Sequence, residues 1–282
     1  MSKRGSDREG GQTVIDAESE AFTARLSQTC RKYSDPLFLQ DYFLASGHGH
    51  KTHNGTATFV KYEGKHYLCT CEHVATAIGD QSIVGSNTLH PTASLMIGKL
   101  VVNLSSFTTE GLQSSFDAPA ARDGYKFDVC IALIESHWDY IRTHKEKEAI
   151  DLDSWSEPPW SEVELCAAAG YADEHKTTQD DKVTVPMPVV TAELQSKIQP
   201  DTREFTLSSS LSEPHGMYFS GMSGGPILAL WGNDNLAPIG LIFEGYPSNR
   251  ATPTSNLAGP NDILIRGLLL TPTTFSHWLQ QI

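Results

Sequence analysis

Long apolar runs are missing from this 282-residue chain, and none approaches the ~20 residues that a membrane-spanning helix requires. The longest, residues 131–134 and 264–270, are the size of a strand or are interrupted by Arg266 and Gly267. The N-terminal residues are polar and lack the apolar core of a secretory signal. These absences predict a protein that does not associate with a membrane, and we expect it to be cytoplasmic.

Cysteines are few and do not form a disulfide pattern. The chain has five, an odd number, which favours free thiols in a reducing compartment. Cys69 and Cys71 lie next to His73, but no second Cys or His pair follows at zinc-finger spacing, so we expect no metal. We interpret the five thiols as small core side chains. They are Cys30, Cys69, Cys71, Cys130 and Cys166.

Basic residues are also scarce. Lys and Arg together number 21 against 34 Asp and Glu, which gives a formal net charge of −13. This average charge repels nucleic acids and anionic lipid surfaces, so neither is an expected partner. With 39% hydrophobic and 20% charged residues, the composition is otherwise typical of a soluble globular protein.

The N-terminal region predicts a polar tail followed by a helix. Residues 1–13 are polar and glycine-rich, which predicts disorder. Residues 16–32 have a helical pattern in which Phe22, Leu26 and Cys30 share one face. We expect this helix to pack outside the main domain, and a regulatory protein partner that docks on it is the alternative interpretation.

Short β-type runs separated by turn residues make up most of the remaining chain, which favours a sandwich or a barrel. Gly64 between two such runs predicts a hairpin. Residues 135–158 are charged and predict a linker with a short helix, and Pro272 begins a predicted C-terminal helix. The predicted strands are residues 56–61, 66–70, 94–97, 100–104, 127–134, 163–169, 183–190, 203–208, 226–230 and 238–243.

Three segments contain candidate catalytic residues. Ser223 stands among glycines, whose backbone freedom would allow the N–H groups of Gly221 and Ser223 to point at one oxygen, as an oxyanion hole requires. His73 directly follows an apolar strand. Asp128 opens a strongly apolar strand, where a carboxylate is costly without a partner, and an imidazole N–H is a suitable partner. The order His, Asp, Ser is one of the known orders of a catalytic triad.

At this point the sequence resembles the trypsin/chymotrypsin-fold serine proteases. Gly-x-Ser-Gly-Gly-Pro is the nucleophile motif of that family, Thr-x-x-His resembles its histidine segment, and the strand opened by Asp128 resembles its aspartate segment. Three further segments resemble the strand before the histidine, the start of the second barrel and the strand along which substrates bind. In chain order, the six segments are residues 55–60, 70–73, 128–133, 165–171, 221–226 and 240–245.

The resemblance implies an all-β fold of two antiparallel six-stranded β-barrels, with an N-terminal helical extension and a short C-terminal helix. The expected divisions are a tail and helix over residues 1–35, a first barrel over 36–150 and a second barrel over 151–282. His73 and Asp128 would come from the first barrel and Ser223 from the second. The implied activity is that of a serine endopeptidase, which needs no cofactor or metal and cleaves a protein or peptide through an acyl-enzyme.

The resemblance also assigns substrate contacts. Phe243, Glu244 and Gly245 would lie along the substrate, and Met217 would form the floor of the specificity pocket. Because Met217 carries no charge, we expect an uncharged residue before the cleaved bond. Met222 stands where zymogen-type relatives have an Asp, so we expect activity without N-terminal cleavage.

Two alternatives stay open at this stage. The same glycine-rich segment satisfies Gly-x-Ser-x-Gly, the nucleophile elbow of α/β-hydrolases, and Asp262 and His277 follow Ser223 in the order of that fold, which would make the protein an esterase. The other alternative is a protease fold that serves as a catalytically silent binding module.

Overall fold

The computed structural model describes residues 9–41, 54–75, 93–97, 100–103, 126–175, 177–179, 182–199, 201–232, 235–248 and 258–282. Its helices are α1 (Glu9–Tyr33), α2 (Glu135–Lys145) and α3 (Pro272–Leu279). Its strands are β1 (Ser34–Asp41), β2 (Asn54–Tyr62), β3 (Lys65–Thr70), β4 (Ala93–Ile97), β5 (Leu100–Asn103), β6 (Cys130–Leu133), β7 (Ile150–Asp151), β8 (Leu165–Ala169), β9 (Thr177–Gln179), β10 (Lys182–Thr184), β11 (Val189–Leu194), β12 (Glu204–Ser210), β13 (Pro226–Trp231), β14 (Asn235–Tyr246) and β15 (Asp262–Leu269).

The C-terminal half of the chain forms a closed antiparallel barrel with the strand order β11-β12-β15-β14-β13-β8. Alternate residues of each strand point inward, as strand geometry requires, so Phe205 and Leu207 of β12 meet Ile227 of β13 and Ile265 of β15 in one buried core. This barrel confirms the predicted mostly-β architecture for the second half of the chain.

The N-terminal half forms a sheet with the order β5-β4-β1-β2-β3-β6, to which β7 adds a short parallel pairing with β2. Within the described residues β5 and β6 do not pair, so this sheet is not closed there, and it has seven strands where six were expected. The chain that joins β5 to β6, residues 104–125, lies outside the described residues. A first closed barrel is therefore not confirmed.

Buried side chains connect the two halves. Val60, Tyr67 and Ile131 of the first sheet share one core cluster with Leu241 and Leu268 of the barrel, and α3 contributes Phe275 and Trp278 to it. The two halves are therefore joined by one close-packed core.

Helices α1 and α3 confirm two predicted elements. Leu26 and Cys30 of α1 are buried against Ala167 and Leu228 of the barrel, as expected for a helix with one apolar face. The helix begins at Glu9, inside the segment predicted to be disordered, and residues 1–8 lie outside the described residues. Among the described helices, none is both long enough and apolar enough to cross a bilayer.

Helix α3 begins as predicted. Thr271 is its N-cap and accepts a hydrogen bond from the Thr274 N–H at 3.1 Å, and Pro272 occupies the first helical position. Capping satisfies an N–H that the helix itself cannot, and it fixes the point at which the chain leaves β15 and packs between the two halves.

Candidate active site

His73 and Asp128 meet at the end of two paired strands. His73 lies on a helical turn, residues 72–75, just after β3, and Asp128 lies two residues before β6, which pairs with β3. The Asp128 carboxylate accepts from the His73 backbone N–H at 3.1 Å and from ring Nδ1 at 2.6 Å. A proton on Nδ1 leaves Nε2 as the proton acceptor of the neutral ring.

Two opposing effects act on the pKa of Asp128. Burial raises this pKa. Hydrogen bonds from the His73 ring and from the backbone N–H groups of Glu72 and His73 lower it by a larger amount, so the net pKa lies below the ordinary carboxyl value. Asp128 is therefore ionised at neutral pH and stabilises the imidazole in one tautomer and one orientation.

Ser223 lies on the barrel side of the same cleft, three residues before β13. A cleft of about 670 Å³ is lined by His73, Asp128, Gly221 and Ser223 together. Ser223 Oγ donates to the Phe243 carbonyl at 3.4 Å, and among the described contacts it makes no hydrogen bond to His73. The predicted residues are thus brought to one cleft, with the Ser–His hydrogen bond not formed.

The backbone around Ser223 is held through its carbonyl groups. All five carbonyls of residues 220–224 accept a hydrogen bond, and most of the donors are distant in sequence. In chain order, the donors are Asp173 N–H at 2.7 Å, Thr56 Oγ1 at 2.9 Å, Gly225 N–H at 2.9 Å, Thr56 N–H at 3.0 Å and Thr58 Oγ1 at 2.7 Å. Because N–H and C=O point in opposite directions in a trans peptide, each such bond also fixes the direction of the next residue's N–H.

Two N–H groups of this segment have no acceptor within the described part of the chain. Three of the five amides of residues 221–225 donate to backbone carbonyls. Those of Gly221 and Ser223 do not. These are the two amides predicted to form the oxyanion hole, and the Gly221 backbone has the positive φ of +89° that glycine tolerates.

Met222 is packed into the barrel core and is fully buried. A Cβ on Gly170 would lie 2.6 Å from the Met222 Cα, so the start of the chain after β8 touches the Met222 backbone directly. Close packing, with no charge at residue 222, holds the residue between the two candidate oxyanion donors.

Three of the four predicted substrate-binding residues line the cleft. Phe243, Glu244 and Gly245 line the cleft, as expected, but Met217 does not. Met217 packs partly buried against the barrel core, and its N–H donates to His215 Nδ1 at 3.1 Å. Phe219 and Ser220 of the same loop line the cleft, and the role of Met217 as the floor of a specificity pocket stays a prediction.

Arg266 is a cleft residue that the sequence analysis missed. Its guanidinium bonds Glu244 and Glu204, each at 2.8 Å, and lies 4.8 Å from the centre of the Phe243 ring. Burial lowers its pKa, but the two carboxylates outweigh this and keep the pKa above the ordinary arginine value. A lone Arg in an apolar strand implies a charged partner, and that signal in β15 could have identified it.

The α/β-hydrolase interpretation is wrong for this chain. The Asp262 carboxylate accepts from the Ser210 hydroxyl and from the Gly259 N–H, and His277 contacts Phe127 and Gln281. Neither residue is among those that line the cleft with Ser223. The strands around Ser223 are antiparallel, whereas that fold needs a parallel sheet.

The one candidate group of metal ligands in the described residues does not fit an ion. It consists of Cys71, His73 and Asp128. Burial raises the pKa of the Cys71 thiol well above its ordinary value, and Cys71 Sγ donates to the Ile242 carbonyl at 3.2 Å. Metal binding requires a thiolate, and the 2.6 Å bond between His73 and Asp128 leaves no space for an ion between them. All five cysteines are buried thiols, as predicted for small core side chains.

Comparison with known proteins adds structural neighbours only. No family model and no curated protein matches the chain. A thermostable serine protease, AL20, from an extremophilic microorganism is 11% identical over 88% of this chain and 95% of its own, with a TM-score of 0.41. The protease Anisep from Arthrobacter nicotinovorans is 12% identical over 89% and 95%, with a TM-score of 0.42.

A third neighbour is the HtrA-type protease AlgW with a tripeptide, which is 16% identical over 92% of this chain and 62% of its own, with a TM-score of 0.36. The solved structures similar to this chain thus include serine proteases. All three TM-scores lie below 0.5.

Proposed function

We propose that this protein is a serine endopeptidase that uses Ser223 as nucleophile, His73 as general base and Asp128 as the residue that orients His73. The observation that carries the proposal is the pattern of backbone hydrogen bonds beside Ser223. Every carbonyl of residues 220–224 is held, and the N–H groups of Gly221 and Ser223 have no acceptor among the described residues. Two fixed N–H donors next to a hydroxyl are what acyl transfer requires.

The chemistry begins with a rotation of the Ser223 side chain. Its hydroxyl leaves the Phe243 carbonyl, where the present bond is a long 3.4 Å, and donates to His73 Nε2. The oxygen attacks the peptide carbonyl carbon while His73 takes the proton, and the carbonyl oxygen becomes an anion that accepts from the Gly221 and Ser223 N–H groups. His73 then gives its proton to the leaving amine as the C–N bond breaks.

The second half of the reaction frees the enzyme. Water attacks the acyl ester on Ser223, His73 takes a proton from that water, and the proton returns to Ser223 as the ester bond breaks. Asp128 stays ionised throughout and stabilises the imidazolium that forms twice per cycle. No step needs a metal or an organic cofactor.

The proposed substrate is an extended segment of a protein or peptide. The ladder between β13 and β14 ends at the pair Pro226–Leu241, so the edge of residues 243–245 borders the cleft beyond it. A peptide added along this edge would satisfy backbone groups in the manner of an extra strand. The full proposal also includes a complete barrel around β1–β6, a cytoplasmic location and control by a protein partner.

One observation favours a second candidate function. With Ser223 bonded to Phe243 and not to His73, the cleft could bind peptides without cleaving them, as a silent binding module. This candidate predicts a folded protein that binds extended peptides and whose serine does not react.

A fluorophosphonate probe with peptide mapping separates the two candidates. Labelling of Ser223 in the wild type, lost in Ser223→Ala and reduced about 10⁴-fold or more in His73→Ala, supports the peptidase. His277→Ala is the matched control, because His277 lies outside the cleft and the variant should label like the wild type. Circular dichroism establishes that each variant is folded. A folded wild type that never labels, with or without candidate partners, contradicts the peptidase proposal and favours the binding module.

A further inference from the structure

Thr56 of β2 joins the first sheet to the segment around Ser223. It is fully buried, its N–H donates to the Ser223 carbonyl at 3.0 Å, and its hydroxyl donates to the Gly221 carbonyl at 2.9 Å. The same hydroxyl accepts from the Tyr171 N–H at 2.8 Å. One residue of the first sheet therefore bonds two carbonyls of the candidate oxyanion segment and the backbone just after β8.

The direction of the Thr56 hydroxyl follows from its partners. A threonine hydroxyl has one hydrogen to donate and can accept at the same time. Because the Tyr171 N–H already points at the oxygen, the hydroxyl hydrogen is left for the Gly221 carbonyl. The result is a directed chain from the Tyr171 N–H through Thr56 Oγ1 to the Gly221 carbonyl, in which each bond polarises the next.

Gly221 is the residue that most needs such an anchor. Glycine adopts positive and negative φ with similar ease, so its own backbone does little to favour the observed φ of +89°. Its N–H has no acceptor within the described residues, and its carbonyl is held by Thr56. The peptide between Gly221 and Met222 joins the two candidate donors and is held at both ends, by Thr56 Oγ1 on its carbonyl and by the Phe219 carbonyl on its N–H at 3.1 Å. Without the Thr56 bond only the second of these anchors would remain, and rotation of this peptide would change the angle between the Gly221 and Ser223 N–H groups.

We propose that the Thr56 hydroxyl is a positioning residue for the oxyanion hole, setting the orientation of Gly221 from the opposite half of the molecule. The inference rests on the proposed function in one respect, since the segment that Thr56 orients is the proposed oxyanion hole. Thr56 touches no reacting atom. It acts through Gly221.

Thr70 provides a closely matched control. It is also a fully buried threonine of the first sheet, and its hydroxyl donates to a backbone carbonyl at 2.8 Å, that of Thr56. Its side chain makes no hydrogen bond to residues 220–224 within the described part of the chain. Thr56→Val and Thr70→Val therefore remove the same group from the same kind of environment, and only the first removes a donor to Gly221.

The first measurement is steady-state hydrolysis of a peptide ester or amide. Thr56→Val should lower kcat about 10²-fold, the size of effect seen when one oxyanion donor is lost, with KM changed less than about threefold. Thr56→Ser keeps the hydroxyl and should recover kcat to within about fivefold of the wild type. The pH profile should be unchanged in all variants, because His73 and Asp128 are untouched. A kcat for Thr56→Val no lower than that for Thr70→Val would overturn the proposal.

The second measurement does not need activity and uses Ser223→Ala as the background. Hydrogen–deuterium exchange of residues 219–225 should be faster in Thr56→Val than in Thr70→Val, by about tenfold at the Met222 and Gly224 amides. Thr56→Ser covers the case in which the valine variant fails to fold, and its exchange should match the background. Equal exchange in the two valine variants rejects the role of Thr56 whether or not the protein is a peptidase, whereas absent labelling of the wild type rejects only the peptidase.

Discussion

Gly224→Ala tests how closely the first sheet packs against the segment around Ser223. Gly224 has φ +90°, and a Cβ there would lie 2.0 Å from the Thr56 carbonyl oxygen and 2.7 Å from Thr70 Oγ1. The first of these atoms belongs to the backbone of a central strand and has no rotamer through which to withdraw. The first sheet or the segment around Ser223 must therefore move by about 1 Å to reach an acceptable separation.

The cost of this substitution has two parts. A non-glycine residue at positive φ costs about 1–2 kcal/mol. A shift of the segment also weakens the three hydrogen bonds that Thr56 and Thr58 donate to its carbonyls, each with a net value of about 1 kcal/mol. Together the two parts amount to a loss of about 4–5 kcal/mol in the free energy of unfolding.

Gly64→Ala is the matched control. Gly64 also has positive φ, +70°, in the β2–β3 turn, but no atom lies within 4 Å of a Cβ built there. Only the backbone strain applies, so the expected loss is about 1–2 kcal/mol. Urea unfolding at neutral pH, followed by tryptophan fluorescence, measures both variants, and probe labelling of Ser223 should fall sharply in Gly224→Ala alone. Equal losses of stability in the two variants would refute the argument, since the steric term would then be absent.

Three further predictions concern catalysis. Asp128→Asn should lower kcat about 10⁴-fold, because the amide favours the wrong imidazole tautomer. Folding lowers the pKa of Asp128, so its ionised form stabilises the protein fully at pH values above the ordinary carboxyl pKa. In urea titrations the stability difference between the wild type and Asp128→Asn should therefore shrink as the pH falls from the ordinary carboxyl pKa through the lowered pKa of the folded protein. The intact chain should label at Ser223 as readily as a form trimmed of residues 1–8, as checked by mass spectrometry, and labelling of the trimmed form alone would contradict the packing role of Met222. In a peptide library the residue before the cleaved bond should be uncharged, because Glu204 and Glu244, which line the cleft, are already paired with Arg266; cleavage only after Lys or Arg would disprove this.

The candidate catalytic residues could be predicted from the sequence because the segments next to them in the chain carry the signal. His73 and Asp128 each adjoin a short apolar strand, and pairing of β3 with β6 brings these strand ends together. The β2–β3 hairpin was predicted from Gly64, whose φ of +70° follows a Glu63 that is also at positive φ. Each of these features depends on a few consecutive residues and on one pairing of neighbouring strands.

Other elements were missed because tertiary contacts override local preference. Strand β1 contains Asp35 and Pro36, both poor strand formers, and it was not predicted. In the structure Asp35 is buried and forms ion pairs with Lys145, the last residue of α2, and with Lys147, which follows that helix. Its charge is therefore neutralised by residues far along the chain. The predicted run over 183–190 is instead split between β10 and β11, since Pro186 has no N–H for a ladder.

The orientation of the candidate oxyanion hole is a property that motif spacing does not contain. Glycines and a serine specify which N–H groups are available, but the direction of the Gly221 N–H is set by the Ser220 carbonyl, which the Asp173 N–H holds, and the peptide that joins the two candidate donors is held by Thr56. Thr56 lies 165 residues from Gly221, and nothing near either position predicts the contact. A chain with the same His, Asp, Ser and glycines but without these distant donors would retain the motif and lose the geometry. The reactivity proposed for Ser223 therefore depends on how the two halves pack as much as on the residues that the motif names.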